Sequence, residues 1–288
     1  MNQSNQPLVS VVIPCYNHEN FVQDSIQSVI DQTYQNIELI IIDDGSKDGS
    51  VERIQEILTL CEKRFTRFEF RHRPNKGLSA TLNEALEWCE GEYYSAIASD
   101  DMLLVDKISL QVKIFQEDLG VVGVFGGVEL IDEYNNLIKT EKEENIIYYS
   151  HEEIILHKHI IYAPTQLLRM SYLKSIGGYP EDIIIEDWYM WIELSKIGKL
   201  VVYPQIYAKY RNHSDNTVKN LKKMHDGRFQ VVNLYKNSNL HRQAIFNVKW
   251  LNNMELNRNR NIKFLNLIKL FYTNPIFFLK KIYHWAVK

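Results

Sequence analysis

Two apolar runs in this chain end on paired carboxylates. Residues 37–42, IELIII, lead straight into Asp43-Asp44-Gly45-Ser46, and the run containing Tyr93, Tyr94, Ala96, Ile97 and Ala98 stops at Asp100 and Asp101. A mostly apolar run of this length suits a strand buried on both faces, as in a parallel sheet. Ligands of open α/β sheets gather outside the carboxyl ends of the strands. Acids placed there suit a hard divalent cation holding phosphate oxygens, or the hydroxyls and imide of a nucleoside. One such pair is the ordinary chemistry of a capped turn. Two pairs at two strand ends point to a site.

The surrounding pattern repeats. Residues 8–13 read as a buried strand closed by Pro14, followed by Cys15-Tyr16-Asn17-His18-Glu19-Asn20. Phe21, Ser25, Ile26, Val29 and Ile30 then give a helical stripe with Asn20 as its N-cap. That loop contains no glycine, which excludes the turn that lets a dinucleotide pyrophosphate approach a helix. Residues 68–71 are a third strand, and Arg73-Pro74-Asn75-Lys76-Gly77 is a turn into a helix that Gly91 ends. Lys76 offers a point charge to a phosphate. Four strand-then-helix units predict a doubly wound, mostly parallel α/β sheet with right-handed crossovers.

Beyond it, residues 121–130 read as another buried strand, 131–149 as a polar excursion, Ala163-Pro164-Thr165 as the lead into a helix that runs to Ser175, and 200–203 and 206–210 as two short strands. His151, His157 and His159 have no carboxylate at metal spacing and read as surface or helix-lining residues. Glu186 and Asp187 open a helix, where the macrodipole favours negative charge. Trp188 and Trp191 beside them suit an apolar wall that tunes a carboxylate toward general-base work. Arg211 suits a phosphate and His213 a metal.

Composition narrows the classes. A chain of 288 residues with 45% hydrophobic content builds a sizeable core, and a net charge of -3 gives no electrostatic case for nucleic acid. Cys15, Cys61 and Cys89 form neither a disulfide framework nor a zinc motif. No secretory signal and no membrane-spanning run is visible, which predicts a cytoplasmic chain or one on a membrane face.

Taken in order, VSVVIPCYNHENFVQDSIQSVIDQTYQNIELIIIDDGSKDGS, NKG, GEYYSAIASDD, GGYPEDIIIEDWYMWIEL and YRNHSDN resemble the family 2 glycosyltransferases of the GT-A fold, over about residues 8–217. The resemblance implies a catalytic domain at 1–219, with a nucleotide-sugar half to about 103 and an acceptor half from about 104; it stops there, and the changed composition of 220–288 predicts a helical extension. It implies a nucleotide-sugar donor, commonly a UDP-sugar, a glycan or lipid-linked oligosaccharide acceptor, and Mn²⁺ or Mg²⁺. Pro14, Tyr16 and Asn17 border the base pocket, and Asp44 contacts uracil or ribose. Asp100 faces the ribose, while Asp101, joined by His213, holds the metal. Lys76 and Arg211 complete the donor side, Asp187 matches the catalytic base, and Glu186 and Trp188 face the acceptor. Where many members read D-x-D-D, this chain has Ala98-Ser99-Asp100-Asp101. That departure keeps open a degenerate domain that binds nucleotide or glycan as a partner subunit. A sugar nucleotidyltransferase would need a glycine-rich N-terminal loop, absent here.

In the tail, Lys249, Arg258, Arg260, Lys263, Lys269, Lys280, Lys281 and Lys288 face the single acid Glu255. Phe264, Leu265, Leu267, Phe271, Phe277, Phe278 and Trp285 are interleaved with them, and Pro275 breaks the pattern. Such a segment suits the interface of an anionic bilayer, which places the chain on the inner face of the cytoplasmic membrane. A packed helical pair or a dimer contact is the alternative.

Overall fold

The chain is described by a computed structural model at residues 6–257, 268, 271–272 and 274–286. Val9–Cys15 (β1), Ile37–Asp43 (β2), Arg67–His72 (β3) and Tyr93–Ala96 (β4) are the four expected strands. They run parallel in the order β3-β2-β1-β4. Every residue of β2 is buried, so a run without alternation finds both its faces covered. The chain winds outward from β1 in one direction and then returns to lay β4 on its other side. The crevice between the ends of β1 and β4 is therefore a topological switch point, where such sheets take ligands.

Val22–Ile30 (α1), Ser50–Gln55 (α2), Leu58–Arg64 (α3) and Leu78–Trp88 (α4) are the connecting helices. Asn20 does not cap α1. The N-cap is Phe21, without a side-chain bond, because the His18 carbonyl already accepts the N–H groups of Phe21 and Val22 at 2.9 Å. Gly91 is not a helix terminator either, since α4 ends on Cys89 in extended conformation. A Cβ on Gly91 would sit 2.4 Å from Ser10 Oγ and 2.6 Å from Ser10 N, so glycine is needed for close approach to β1.

Met102–Leu103 (β5), Val121–Ile131 (β6), Leu137–Glu141 (β7), Ile147–Tyr149 (β8), Leu167–Arg169 (β9) and Lys199–Arg211 (β10) continue the sheet, with Lys107–Glu117 (α5) packed on it. β6 and β7 form an antiparallel hairpin, the predicted polar excursion. The two strands expected at 200–210 are one strand, held to β6 across register shifts. Ala163–Thr165 is a 3-10 turn, and the helix expected after it, to Ser175, is first β9 and only then Met170–Ile176 (α7). Three residues are too few to show a period. β9 exists because it pairs antiparallel with both β4 and β6.

Residue contacts group the chain into two units: Met1–Ser150 with Ile160–Asp182 and Met190–His213, and His151–His159 with Ile183–Tyr189 and Ser214–Lys288. The sheet and its main apolar core lie in the first. The second contains His151–Ile155 (α6), the start of Glu186–Ser195 (α8), Leu221–Leu234 (α9), His241–Asn257 (α10) and Pro275–Ala286 (α11). Arg228 ties α9 to α10 by donating to both Glu255 oxygens at 2.7 Å and to Asn252 Oδ1 at 2.8 Å. Phe277, Phe278 and Ile282 of α11 pack on Phe246 and Trp250 of α10. Pro275 starts α11, a position where its missing N–H has no cost. The tail residues Arg258, Arg260, Lys263, Phe264, Leu265, Leu267, Lys269 and Lys288 fall outside the described residues.

Candidate active site

Parallel register pairs Val12 with Ala96, so the loops after β1 and β4 leave the sheet at the same edge. The first brings His18 and the second brings Ser99, Asp100 and Asp101. β10, which ends at Arg211, adds His213. Among the described residues, His18, Asp100 and His213 each offer one ligand atom, all within 4.8 Å of one another. His213 Nε2 is 2.8 Å from Asp100 Oδ2, and His18 Nε2 is 3.9 Å from the same oxygen. Burial alone would raise the Asp100 carboxyl, but the His213 hydrogen bond and the charges of both imidazoles outweigh it and hold it below the ordinary range.

Asp101 turns the other way. It is 1% exposed, its Oδ1 accepts the Arg211 N–H at 2.9 Å, and burial with the adjacent Asp100 charge pushes its carboxyl well up. The family resemblance implies the cation at Asp101 and the ribose at Asp100. In the fold it is Asp100 that shares space with the imidazoles. Arg211, expected at a phosphate, is fully buried. Its Nε donates to the Asp100 carbonyl at 2.7 Å, its Nη2 to Asp24 at 3.2 Å, and its guanidinium lies 4.7 Å from the Phe21 ring centre. Its partners are protein groups, and it braces the loop that carries Asp100.

The loop after β2 carries the other acid pair. Asp43 is fully buried, and its carboxylate accepts the N–H groups of Gly45 and Ser46 and the Ser46 hydroxyl. Asp44 is 5% exposed and takes three donors: the Arg73 guanidinium and the Lys76 N–H on Oδ1, and the Gly77 N–H on Oδ2. Gly45 sits at φ +76, and a Cβ there would lie 2.7 Å from Asn75 N, so the two loops touch through it. Asn17, itself at φ 55, accepts from Lys47 N–H at 2.7 Å and donates its own N–H to Ser46 Oγ at 2.8 Å. Tyr16 is 46% exposed beside them, Pro14 pairs with Ile42, and the Lys76 side chain is exposed. Pro14, Tyr16, Asn17, Asp44, Asp100 and His213 thus share one edge of one sheet.

Glu186, Asp187 and Trp188 belong to the second unit. Protein atoms crowd both carboxyls, although each keeps some solvent contact. Burial and the Asp187 charge raise Glu186 to about 8, and burial raises Asp187 to about 6. Trp188 does not face solvent: it is 1% exposed, its indole N–H donates to the Ile154 carbonyl at 2.8 Å, and its ring meets His157. It braces the first turn of α8 from inside. His157 and His159 stack at 5.0 Å, and burial lowers them to about 4 and about 3, consistent with neutral lining residues.

His18 is the site residue that the sequence did not announce. The available signal was the β1 loop itself, since a histidine there meets the β4 loop once β1 and β4 are known to be neighbours.

The Glycosyl transferase family 2 profile matches residues 10–177. An uncharacterised glycosyltransferase of Haemophilus influenzae is 29% identical over 229 residues, covering 74% of this chain and 68% of that protein. The chondroitin synthase of Escherichia coli is 30% identical over 233 residues, covering 79% of this chain and 32% of the synthase. An uncharacterised glycosyltransferase of Rickettsia felis is 30% identical over 221 residues, and the match spans only 36% of its length. Among solved structures, a mannosyltransferase from Pyrobaculum calidifontis in complex with GDP-Man and Mn²⁺ superposes with a TM-score of 0.68 at 13% identity, over 99% of this chain and 81% of that one. S. aureus TarS in complex with UDP-GlcNAc gives 0.66 at 15% identity, over 94% and 80%. These two share the fold, with acids and histidines of this chain at the switch point of its sheet, and the sequence match covers more than half of the chain: it belongs to glycosyl transferase family 2.

Proposed function

We propose that the chain is an inverting, metal-dependent glycosyltransferase. It moves one sugar from a nucleotide-sugar, a UDP-hexose or UDP-HexNAc, to a hydroxyl of a glycan or lipid-linked oligosaccharide in bacterial surface polysaccharide synthesis. The observation that carries this reading is the convergence of His18, Asp100 and His213 at the β1–β4 switch point. The neighbours' complexes with UDP-GlcNAc and with GDP-Man and Mn²⁺ support the donor class.

The donor set fits a divalent cation. One carboxylate and two imidazoles within 4.8 Å suit a divalent transition ion, a class that includes Mn²⁺, and substrate oxygens would complete its shell. Asp100 and His213 would hold the cation, which would supply positive charge to the leaving diphosphate. Asp44 has about four acceptor positions and three donors, which leaves one on Oδ2 for a uracil imide or a ribose hydroxyl. Tyr16 and Pro14 border the base. Asp187 accepts the acceptor hydroxyl's proton while that oxygen bonds to C1 and the C1–phosphate oxygen bond breaks, with its electron pair leaving on the nucleoside diphosphate. Attack from the face opposite the leaving group inverts the anomeric centre.

The test is a screen of UDP-, GDP- and dTDP-sugars in Mn²⁺ and in EDTA, read by thermal stabilisation and by release of nucleoside diphosphate. One donor class should stabilise the protein and be hydrolysed slowly, both only with metal. Stabilisation with no hydrolysis and no transfer to any acceptor would favour the nucleotide-binding partner subunit instead.

The tail supplies the partner surface in this reading. Ile276 and Leu279 of α11 are 67% and 60% exposed, on the side away from Phe277, Phe278 and Ile282, and Tyr272 is 79% exposed. No helix among the described residues is long and apolar enough to cross a membrane. An apolar helix face in a segment whose sequence also carries Lys280 and Lys281 fits the interface of an anionic leaflet, next to an acceptor on a lipid carrier. Ile276→Glu with Leu279→Glu should abolish co-sedimentation with vesicles containing anionic phospholipid and leave the thermal midpoint unchanged. Equal pelleting of variant and parent rejects the membrane placement.

A further inference from the structure

We infer that His18 is a protein ligand of the cation and makes the site select Mn²⁺-type ions over Mg²⁺. This rests on the metal-dependent reading above and adds to it a residue from a different loop.

Ring geometry is the first argument. His18 Nδ1 lies 2.7 Å from Ser99 Oγ, leaving Nε2 as the atom turned toward Asp100 Oδ2 at 3.9 Å. A metal-binding histidine characteristically has its other ring nitrogen held by a hydrogen-bond partner, which fixes tautomer and orientation. Ser99 stands beside Asp100 in sequence, so the residue that orients one ligand is joined to the next.

The second argument is pre-organisation. The His18 backbone N–H donates to Ser50 Oγ at 2.9 Å, which pins the residue to the start of α2. Its ring meets His213 edge-on at 5.7 Å, and both rings contact Phe21, at 6.1 Å and 4.9 Å. Phe21 also lies under the Arg211 guanidinium. The imidazoles are therefore packed against the half-buried Phe21, which the buried Arg211 backs, while the His18 side chain keeps 22% exposure, enough for an ion and its other ligands to reach it.

The third argument is distance. Two ligands about 2.1 Å from one ion lie at most about 4.2 Å apart. The Asp100–His213 and Asp100–His18 separations of 2.8 Å and 3.9 Å satisfy that limit as they stand. The widest pair, within 4.8 Å, needs to close by no more than roughly 0.6 Å. Side-chain torsion alone supplies such a shift.

Ligand chemistry gives the consequence. Mg²⁺ prefers oxygen ligands and keeps its waters, whereas imidazole suits the transition ions. A second imidazole moves the balance away from Mg²⁺.

The experiment uses the full chain, with UDP and GDP as nucleotides, and reads bound Mn²⁺ by electron paramagnetic resonance. Spin-echo modulation from directly bound ¹⁴N should show two imidazoles in the parent and one in His18→Ala. His18→Ala should weaken Mn²⁺ binding by more than the roughly 10- to 100-fold that losing a mere hydrogen-bond partner of a ligand costs, and Mg²⁺ binding by much less. Its thermal midpoint without metal reports on folding. A single ¹⁴N coupling in the parent, or Mn²⁺ affinity unchanged in a folded His18→Ala, overturns the role of His18 while leaving the transferase reading intact. Failure of the parent to bind Mn²⁺ with either nucleotide overturns both.

Discussion

Asp187→Asn lowers turnover by about 10²- to 10⁴-fold, the range for losing a general base, while nucleotide affinity stays near that of the parent. The amide keeps the side-chain shape and still accepts the Trp188 N–H that the carboxylate accepts at 2.6 Å, so the first turn of α8 survives. What it loses is the capacity to take a proton. The pH profile separates this from a structural defect. Burial raises Asp187 to about 6. A base works only when deprotonated, so the parent's kcat/KM falls as pH drops through about 6 and levels off above it. The residual rate of Asp187→Asn lacks that limb. Glu186, raised to about 8 by burial and the Asp187 charge, carries the pair's second proton and titrates on the alkaline side. Glu186→Gln leaves the acid limb near 6, because Glu186 is already neutral where Asp187 takes up its proton, and removes only the titration on the alkaline side. An Asp187→Asn enzyme with parental turnover, or one that retains the limb, removes Asp187 from the mechanism.

The strands that lead to this chemistry were legible because each carries its own signal. β1 and β2 are β-branched runs longer than a turn and shorter than a helix, and α1 and α4 show their stripes locally. β9 was not legible. Its three residues become a strand only through pairing with β4 and β6, and nothing within Leu167–Arg169 reports those neighbours. The break expected inside β10 reflected an irregularity that exists, since the register against β6 shifts between Val202 and Ile206, but the pairing resumes in the same strand. The site divides along the same line. Acids at strand ends are visible in sequence because position on a parallel strand implies position in the fold. Which of two adjacent acids turns outward is not visible. Asp101 is turned inward by the Arg211 N–H, a bond made by a strand 110 positions later. Arg211 itself reads as a solvent-facing phosphate ligand until β10 and Phe21 enclose it.

That division sets the second large effect. Asp100→Asn abolishes the metal-dependent part of nucleotide affinity, a loss exceeding the roughly 10- to 100-fold that removing a mere hydrogen-bond partner of a ligand costs. The reason is electrostatic. Asp100 is the anion among the three converging ligands, and the two imidazoles alone offer a dication no negative charge. An amide oxygen retains shape without that charge. Asp101→Asn behaves differently: its oxygen still accepts the Arg211 N–H, and a carboxyl pushed well up by burial and by Asp100 becomes a neutral amide at little cost. The sign of the stability change follows from the direction of that shift. A buried acid raised above its unfolded value opposes folding as pH rises, because the unfolded chain then holds fewer protons than the folded one. Asp101→Asn removes that penalty, so its thermal midpoint falls less from acid toward neutral pH than the parent's does. Calorimetric titration of nucleotide in Mn²⁺ and in EDTA, run on both variants, decides the assignment. Loss of metal-dependent affinity in Asp101→Asn with retention in Asp100→Asn returns the cation to Asp101, and equal loss in both makes the two acids one binding unit.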